Sequence, residues 1–234
     1  MKRSVTIIVP AYNEEKNIAS AVNSVLKAMR GITEDYEILV INDGSGDKTG
    51  TFAEDMHKIN KKIKVIHFVN NRGIGNALRT GIRLASKNYI TGFPGDNDMA
   101  GVSLKELISS TAKADFISGY MTGGYVRGLL RQSLSRLYIN VLNFLFNLKL
   151  TYYNGYFIAR SDILKNLKLN SNGFEIFAEI KIKLILSGHS YLEIPFKYLG
   201  RKYGKSKSIS FKNVVEICSG LIKLISDVYL FRNI

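Results

Sequence analysis

The first half of this 234-residue sequence predicts an α/β fold around a mostly parallel central sheet. Two observations carry that prediction. Short β-branched runs alternate with stretches of helical periodicity, and every run ends in a cluster of turn-forming polar residues. Strands joined through helices pair in parallel, with helices on both faces. The chain is 46% apolar and 22% charged, enough to build such a core.

Ser4 to Val9 reads as a buried strand that Pro10 stops. Asn17 to Met29 has helical spacing through Ile18, Val22, Val25 and Leu26. Tyr36 to Ile41 is the second strand, ending in Asn42-Asp43-Gly44-Ser45-Gly46-Asp47. A helix over Thr49 to Ile59, a strand over Ile63 to Val69 and a helix over Gly75 to Ser86 follow. Tyr89 to Phe93 is a fourth strand, closed by Pro94-Gly95-Asp96. Ligands of parallel sheets sit beyond the carboxyl ends of the strands, so one edge of the sheet collects the polar clusters.

The second half changes character. Phe116 to Ser161 contains no acid, while Arg127, Arg131, Arg136, Lys149 and Arg160 are present. Arg127, Arg131 and Ser135 recur every four residues, which a helix over 126–148 places on one face. Asn140, Asn143 and Asn147 interrupt its apolar run and give it a weakly polar side. Phe174 to Leu186 reads as a helix and Tyr191 to Tyr198 as a strand. Phe196 to Lys212 then carries six basic residues and no acid. The apolar tail from Asn213 to Phe231 is broken by Glu216, Lys223 and Asp227, as in an amphipathic helix. The division expected is a catalytic domain over 1–212 and a terminal helix over 213–231 that packs on the core, a partner copy or a membrane.

Composition excludes several classes. Thirty-three basic and nineteen acidic residues leave a net charge of +14, which calls for an anionic partner. The single cysteine, Cys218, rules out an internal disulfide framework and a cysteine-based zinc cluster. His57, His67 and His189 are scattered, against a His-ligated metal. No apolar run reaches the ~18 residues of a membrane span, and Lys2-Arg3 with its short Val-rich run is no secretory signal. A cytoplasmic protein, with peripheral membrane contact at most, is expected. The aromatics are interspersed with aliphatics as in a core, so specific nucleic-acid binding is not expected.

Asp96-Asn97-Asp98 places two carboxylates one residue apart in a turn, where both reach one hard divalent cation such as Mg²⁺ or Mn²⁺. A solvated turn is the plainer reading of that pair. Asp43 can accept from a base-edge N–H, and Asp47 can cap the helix that follows it. Pro10 to Glu14 can wall a base, or be a plain loop in which Asn13 caps the next helix. The glycines of Asn71-Arg72-Gly73-Ile74-Gly75 can turn backbone N–H groups toward an anion at a helix start. Leu78 breaks the dinucleotide fingerprint, and no phosphate-binding P-loop is present.

Taken together, V-P-A-Y-N-E-E-K-N-I, N-D-G-S-G-D-K-T, N-R-G-I-G-N-A-L-R-T-G-I and G-D-N-D, each after a strand, resemble the family 2 glycosyltransferases of the GT-A fold. R-Q-S-L-S-R-L-Y-I-N, N-G-Y-F-I-A-R-S-D-I-L, G-F-E-I-F-A-E-I and E-I-P-F-K-Y-L-G-R-K-Y-G-K-S-K look like the polyprenyl-phosphate sugar synthase branch, the dolichyl-phosphate mannosyltransferase-like proteins. The resemblance runs from about Val5 to Lys212. It implies a UDP- or GDP-linked sugar donor, with Pro10, Ala11, Tyr12, Asn13 and Glu14 holding the nucleoside and Asp43 touching base or ribose. It implies that Asp96 and Asp98, with Asn97 between them, bind metal and diphosphate. It matches Arg131 and Ser135, beside Arg136, to the element that meets an acceptor phosphate, and Arg201 and Lys207 to the basic loop over the diphosphate. The reaction implied is an inverting transfer to a polyprenyl phosphate, with a saccharide hydroxyl acceptor in polysaccharide or glycolipid synthesis, or a catalytically decayed sugar-nucleotide-binding protein, as the alternatives. A homodimer is a further expectation for the terminal helices.

The chain departs from the family pattern at four places. Asn42 replaces an acid, Met99-Ala100-Gly101 stands where Leu-Gln and a proline-containing turn are usual so that a Gln ligand is missing, Ser118-Gly119-Tyr120-Met121 lacks an Arg, and Tyr152-Tyr153 replaces Asp-Pro. An ionised acceptor phosphate needs no general base, whereas a sugar hydroxyl does. Glu175 and Glu179, one helical turn apart, are the base candidates, and surface composition favours an exposed helical face for them.

Overall fold

The computed structural model describes residues 3–122, 129–197, 199, 203, 220 and 222–229, without the side chains of 129–131. Seven strands form one sheet in the order β3-β2-β1-β4-β6-β5-β7. They are β1 (Val5–Ala11), β2 (Tyr36–Asn42), β3 (Ile63–His67), β4 (Tyr89–Gly92), β5 (Phe116–Thr122), β6 (Phe157–Arg160) and β7 (Tyr191–Lys197). Only β6 runs against the rest. The helices are α1 (Ile18–Met29), α2 (Thr49–Ile59), α3 (Ile74–Leu84), α4 (Gly101–Ser109), α5 (Leu129–Phe146), α6 (Ser161–Lys165) and α7 (Ile176–Leu186). This is the α/β architecture with a mostly parallel sheet that the alternating pattern predicts. Because β1, β2, β3, β4, β5 and β7 all point the same way, the chain leaves each of them at the same edge.

Two buried layers flank the sheet. Val5, Ile7 and Val9 of β1 pack with Val22 and Val25 of α1 and Leu104 and Leu107 of α4. Ile8, Leu39 and Ile41 face the other way, onto Leu78 and Ile82 of α3 and Phe177 and Ile180 of α7. A third cluster joins the outer side of α7 (Ala178, Ile182) to Leu142 and Phe146 of α5 and to Leu224 and Val228 in the helical stretch at 222–229. Helix α7 is therefore packed on every side, and a helix in that position has no solvent face.

That enclosure overturns one expectation. Glu175 and Glu179 are buried, not on an exposed helical face. Lys181 and Lys183 on the same helix are also fully buried.

Pro10 does not stop β1, which continues to Ala11 in register with Asn42. Backbone groups of a strand point alternately to its two neighbours. Val5 and Ala11 bond toward β2 and Ile8 toward β4, so the nitrogen of Pro10 faces the β4 side. Pairing with β4 has ended there, at Ile8 with Gly92. The missing N–H of proline costs no ladder bond at that position.

The sequence reading left out α4, β5, β6 and α6. Strand β5 (F-I-S-G-Y-M-T) mixes Ser and Gly into its apolar run, and β6 and α6 are only four and five residues long. Periods of two and of three to four cannot be separated over so few positions. Of the predicted helix over 126–148, the structure describes Leu129–Phe146, and positions 126–128 lie outside the described residues. The helix's outward residues Leu134, Leu137, Val141 and Phe144 form an exposed apolar stripe, Phe144 being 87% exposed. No helix among the described residues is long and apolar enough to cross a membrane.

Candidate active site

The polar turns meet at the carboxyl edge of the sheet. Leaving β1, the chain is pinned to the turn after β2. The N–H of Asp43 donates to the carbonyl of Ala11 (2.9 Å), and the N–H of Asn13 donates to Ser45 Oγ (3.0 Å). Gly46 N–H returns a bond to Asn13 Oδ1 (2.9 Å), and Glu14 N–H donates to Thr49 Oγ1 (2.7 Å). Asn13 holds this loop at φ 56°, a left-handed conformation that Asn tolerates. It bonds across to the second loop and does not cap α1, whose first residue is Ile18. Pro10 is half-buried, Ala11 and Glu14 are buried, and the Tyr12 ring is exposed. Asp47 does sit at the start of α2, where it accepts from Thr49 N–H (3.0 Å) and also from Glu15 N–H (3.2 Å).

Asp43 lies deep in this edge. Its carboxylate accepts from the N–H of Arg72 (2.7 Å) and Gly73 (2.9 Å) and from Asn71 Nδ2 (2.9 Å). Burial pushes its pKa up, and the two backbone bonds oppose that rise. The anion that the start of α3 faces is thus the chain's own Asp43. Gly73 makes this turn at φ 87°. Gly75 N–H is taken by the carbonyl of Asn172 (2.7 Å).

The Asp96-Asn97-Asp98 turn follows β4 and lies against the first loop. A Cβ on Gly95 would stand 2.5 Å from the carbonyl oxygen of Pro10, so only glycine permits this approach. All three residues of the turn are half-buried. Asn97 has φ 57°, its N–H donates to Pro94 O (3.0 Å), and its Nδ2 donates to Ser20 Oγ on α1 (2.9 Å). Asp98 N–H leans on Asp96 Oδ1 (3.3 Å). From the far side, Leu199 N–H donates to Asp98 O (2.8 Å) and Ala100 N–H to Lys197 O (3.2 Å), tying the exit of β7 to the turn. A cleft of about 490 Å³ opens between the turn and the polar face of α1, bordered by Lys16, Ser20, Lys27, Asp96 and Asn97.

Tyr156 is a site residue that the sequence reading passed over. Its ring stands edge-on to Phe177, and a Cβ on Gly92 would sit 2.7 Å from it. Burial, followed by the charges of Asp98 and Asp96, pushes its hydroxyl well above the usual phenol range. It therefore stays protonated at neutral pH. The signal was the glycine ending β4, which makes room for a ring. Met99 and Ala100, where the family has Leu-Gln, are both buried, and Ser118 has a buried Oγ with no hydrogen-bond partner among the described residues.

On α5, Ser135 is half-buried and Arg136 exposed. Arg131 lies on α5 with its side chain outside the described residues, and Arg127, Arg201 and Lys207 also lie outside them. Of the two base candidates, Glu179 is fully engaged. It accepts from Asn170 N–H and Ser171 N–H (both 2.9 Å) and pairs with Lys183 Nζ at 3.2 Å. Glu175 accepts from Gly173 N–H (2.9 Å). Among the described residues no three His, Cys, Asp or Glu side chains are grouped to hold a metal.

Comparisons with known proteins agree with this geometry. The family model described as glycosyl transferase family 2 matches residues 6–167. The dolichol-phosphate mannosyltransferase of Pyrococcus furiosus is 28% identical over 229 residues, 94% of this chain and 63% of that protein. The chain thus spans less than two thirds of that relative's length. The polyprenol monophosphomannose synthase of Mycolicibacterium smegmatis is 28% identical over 223 residues, 90% of this chain and 82% of that one. Among solved structures, the glucosyl-3-phosphoglycerate synthase of Mycobacterium tuberculosis, in complex with phosphoglyceric acid, superimposes with a TM-score of 0.74 at 16% identity, covering 96% of this chain and 80% of that one. The same enzyme with Mn²⁺, uridine diphosphate and phosphoglyceric acid gives 0.71 at 17% identity, covering 95% and 78%. These likenesses carry the GT-A fold, and with the family model covering most of the sheet and its loops, the chain belongs to glycosyltransferase family 2.

Proposed function

We propose that this protein is an inverting glycosyltransferase that moves a sugar from a nucleotide-diphosphate donor to a polyprenyl phosphate. The observation that carries the reading is the convergence of the Pro10–Glu14 loop and the Asp96-Asn97-Asp98 turn, in contact at Gly95. The loop holds the nucleoside, with Tyr12 exposed beside it. Asp43 acts here by fixing the loop at 71–73, since its carboxylate is already held there.

Two half-buried carboxylates on one turn are the hard oxygen donors that Mg²⁺ or Mn²⁺ prefers, so Asp96 and Asp98 fit such an ion shared with substrate phosphates. Bound there, the cation would neutralise charge growing on the departing diphosphate. Arg131 and Ser135 hold the acceptor phosphate with Arg136 beside them, and Arg201 and Lys207 close over the donor diphosphate. Guanidinium forks suit phosphate oxygens.

A phosphate acceptor is ionised at neutral pH and attacks without a base. Of the two base candidates, Glu179 has its oxygens committed to backbone N–H groups and Lys183. The apolar stripe of α5, flanked by Arg136, suits a peripheral seat on an anionic bilayer where such an acceptor resides. The P. furiosus and M. smegmatis relatives are named for polyprenol-linked mannose transfer, which supports the acceptor class.

The test is transfer of radiolabelled sugar from UDP- and GDP-sugars with Mn²⁺ to polyprenyl phosphate. Label entering the organic phase, and falling at least a hundredfold in Asp98→Ala, is the expected outcome (loss of an electrostatic contact to developing charge costs about 10²–10³). Transfer only to a soluble saccharide defeats the acceptor assignment.

A further inference from the structure

We infer that His67 is a positioning residue for the nucleotide, held neutral with its proton on Nε2 and acting through Asn42 and Ser45 on the Pro10–Glu14 loop. The inference rests on the reading that this loop holds the nucleoside. It starts from a backbone donor whose direction is not negotiable. Ser45 N–H points at Asn42 and can only donate, so the atom of Asn42 that meets it, at 3.3 Å, is Oδ1. The amide nitrogen Nδ2 must then face His67 Nδ1, 3.0 Å away. Two donors cannot face each other, so Nδ1 is bare. The proton sits on Nε2, which donates to Glu54 Oε1 at 3.0 Å.

The ends of the two strands are built for this pair. Asn42 and His67 are directly opposite in the β2–β3 register. Gly50 of α2 closes over them, and a Cβ there would stand 2.8 Å from Asn42 Nδ2 and 3.1 Å from the imidazole Cε1. An alanine methyl there would press on both side chains of the pair and force them to shift. The relay continues outward from Ser45, whose Oγ accepts from Asn13 N–H at 3.0 Å. Glu54, His67, Asn42, Ser45 and Asn13 therefore form one line of bonds from α2 to the nucleoside loop. The asparagine at 42, where the family pattern has an acid, belongs with this arrangement. A carboxylate at 42 would present only acceptors to the ring and would call for a proton on Nδ1.

The experiment has two readouts on the full chain. Imidazole ¹⁵N NMR at pH 7.5 should show His67 as the neutral Nε2–H tautomer. Calorimetric titration with UDP and GDP in the presence of Mn²⁺ should show roughly five- to tenfold weaker binding in His67→Leu, the effect of one lost neutral hydrogen bond. His67→Asn, whose Oδ1 can take the place of Nδ1, should restore affinity to within about twofold. Gly50→Ala should weaken binding in the same way without touching the loop. An Nδ1–H tautomer, or a His67→Leu protein that melts lower yet binds the nucleotide as the parent does, overturns the inference. A parent protein that binds neither nucleotide overturns the functional reading together with it, a result distinct from an unchanged affinity in the variants.

Discussion

At the scale of single residues, the chemistry of this protein is set by what each charged group already touches. Asp43 looked from sequence like a contact for a base, and its position at a strand end was read correctly. Its partners at Arg72 and Gly73 come from a loop about thirty residues later, and nothing local announces them. The same holds for Lys181. It lies in an otherwise apolar helix, fully buried, with its Nζ donating to the carbonyl of Tyr152 at 3.1 Å. Burial pulls its pKa down to about 7, partly opposed by the charge of Glu193. The unfolded chain keeps this proton to the ordinary lysine value of 10.5, while the folded chain gives it up near 7. Stability therefore rises with pH between those values, because the unfolded state binds more protons there. Denaturation at pH 7 and pH 9.5 should show the parent gaining roughly 3 kcal/mol from this group, and Lys181→Met should abolish the gain. A variant with the same pH slope as the parent would assign the effect elsewhere.

At the scale of elements, the strands and helices of the first half were legible because their apolar patterns are long and each ends in turn residues. The four elements missed were short or interrupted, and their identity comes from pairing: β6 exists because it fits between β4 and β5. Helix α7 was read as a helix but given the wrong surroundings. Its Glu and Lys residues suggest a solvated face, yet they form a buried network. Lys183 pairs with Glu179, its Nζ lies 3.8 Å from Asp227 in the 222–229 stretch, and Asn170 Nδ2 also donates to Asp227 (2.7 Å). Removing one member of a buried ionic group leaves the others uncompensated and costs about 3–5 kcal/mol. Lys183→Ala should lose that much in a urea titration and also lose amide-exchange protection over 222–229. Unchanged protection there would mean that the apolar contacts of Leu224 and Val228 suffice to hold the stretch. A second element-scale expectation concerns α5. Phe144→Asp, on the outward stripe, should lower co-sedimentation with anionic vesicles severalfold while leaving the melting temperature within a few degrees. Equal co-sedimentation would remove α5 from the membrane contact.

At the scale of the whole molecule, one topological fact explains why residues far apart in sequence serve one site. Six parallel strands end at one edge, where the exits of β1 and β2 are hydrogen-bonded to each other, as are those of β4 and β7. The charge of +14 fits the two phosphorylated substrates and the anionic surface proposed above. The gathering of the loops was readable from the alternation of strand and helix. The closeness of approach was not, since it depends on Gly95 lying against Pro10 and on Leu199 reaching Asp98. The account stands most directly on what the paired aspartates grip. Crystals of the protein soaked with Mn²⁺ and UDP or GDP, measured for anomalous scattering, should place a manganese peak about 2.1 Å from carboxylate oxygens of Asp96 and Asp98, bridging to the diphosphate. A bound nucleotide with both carboxylates turned to bulk water, or with manganese held elsewhere, would contradict it.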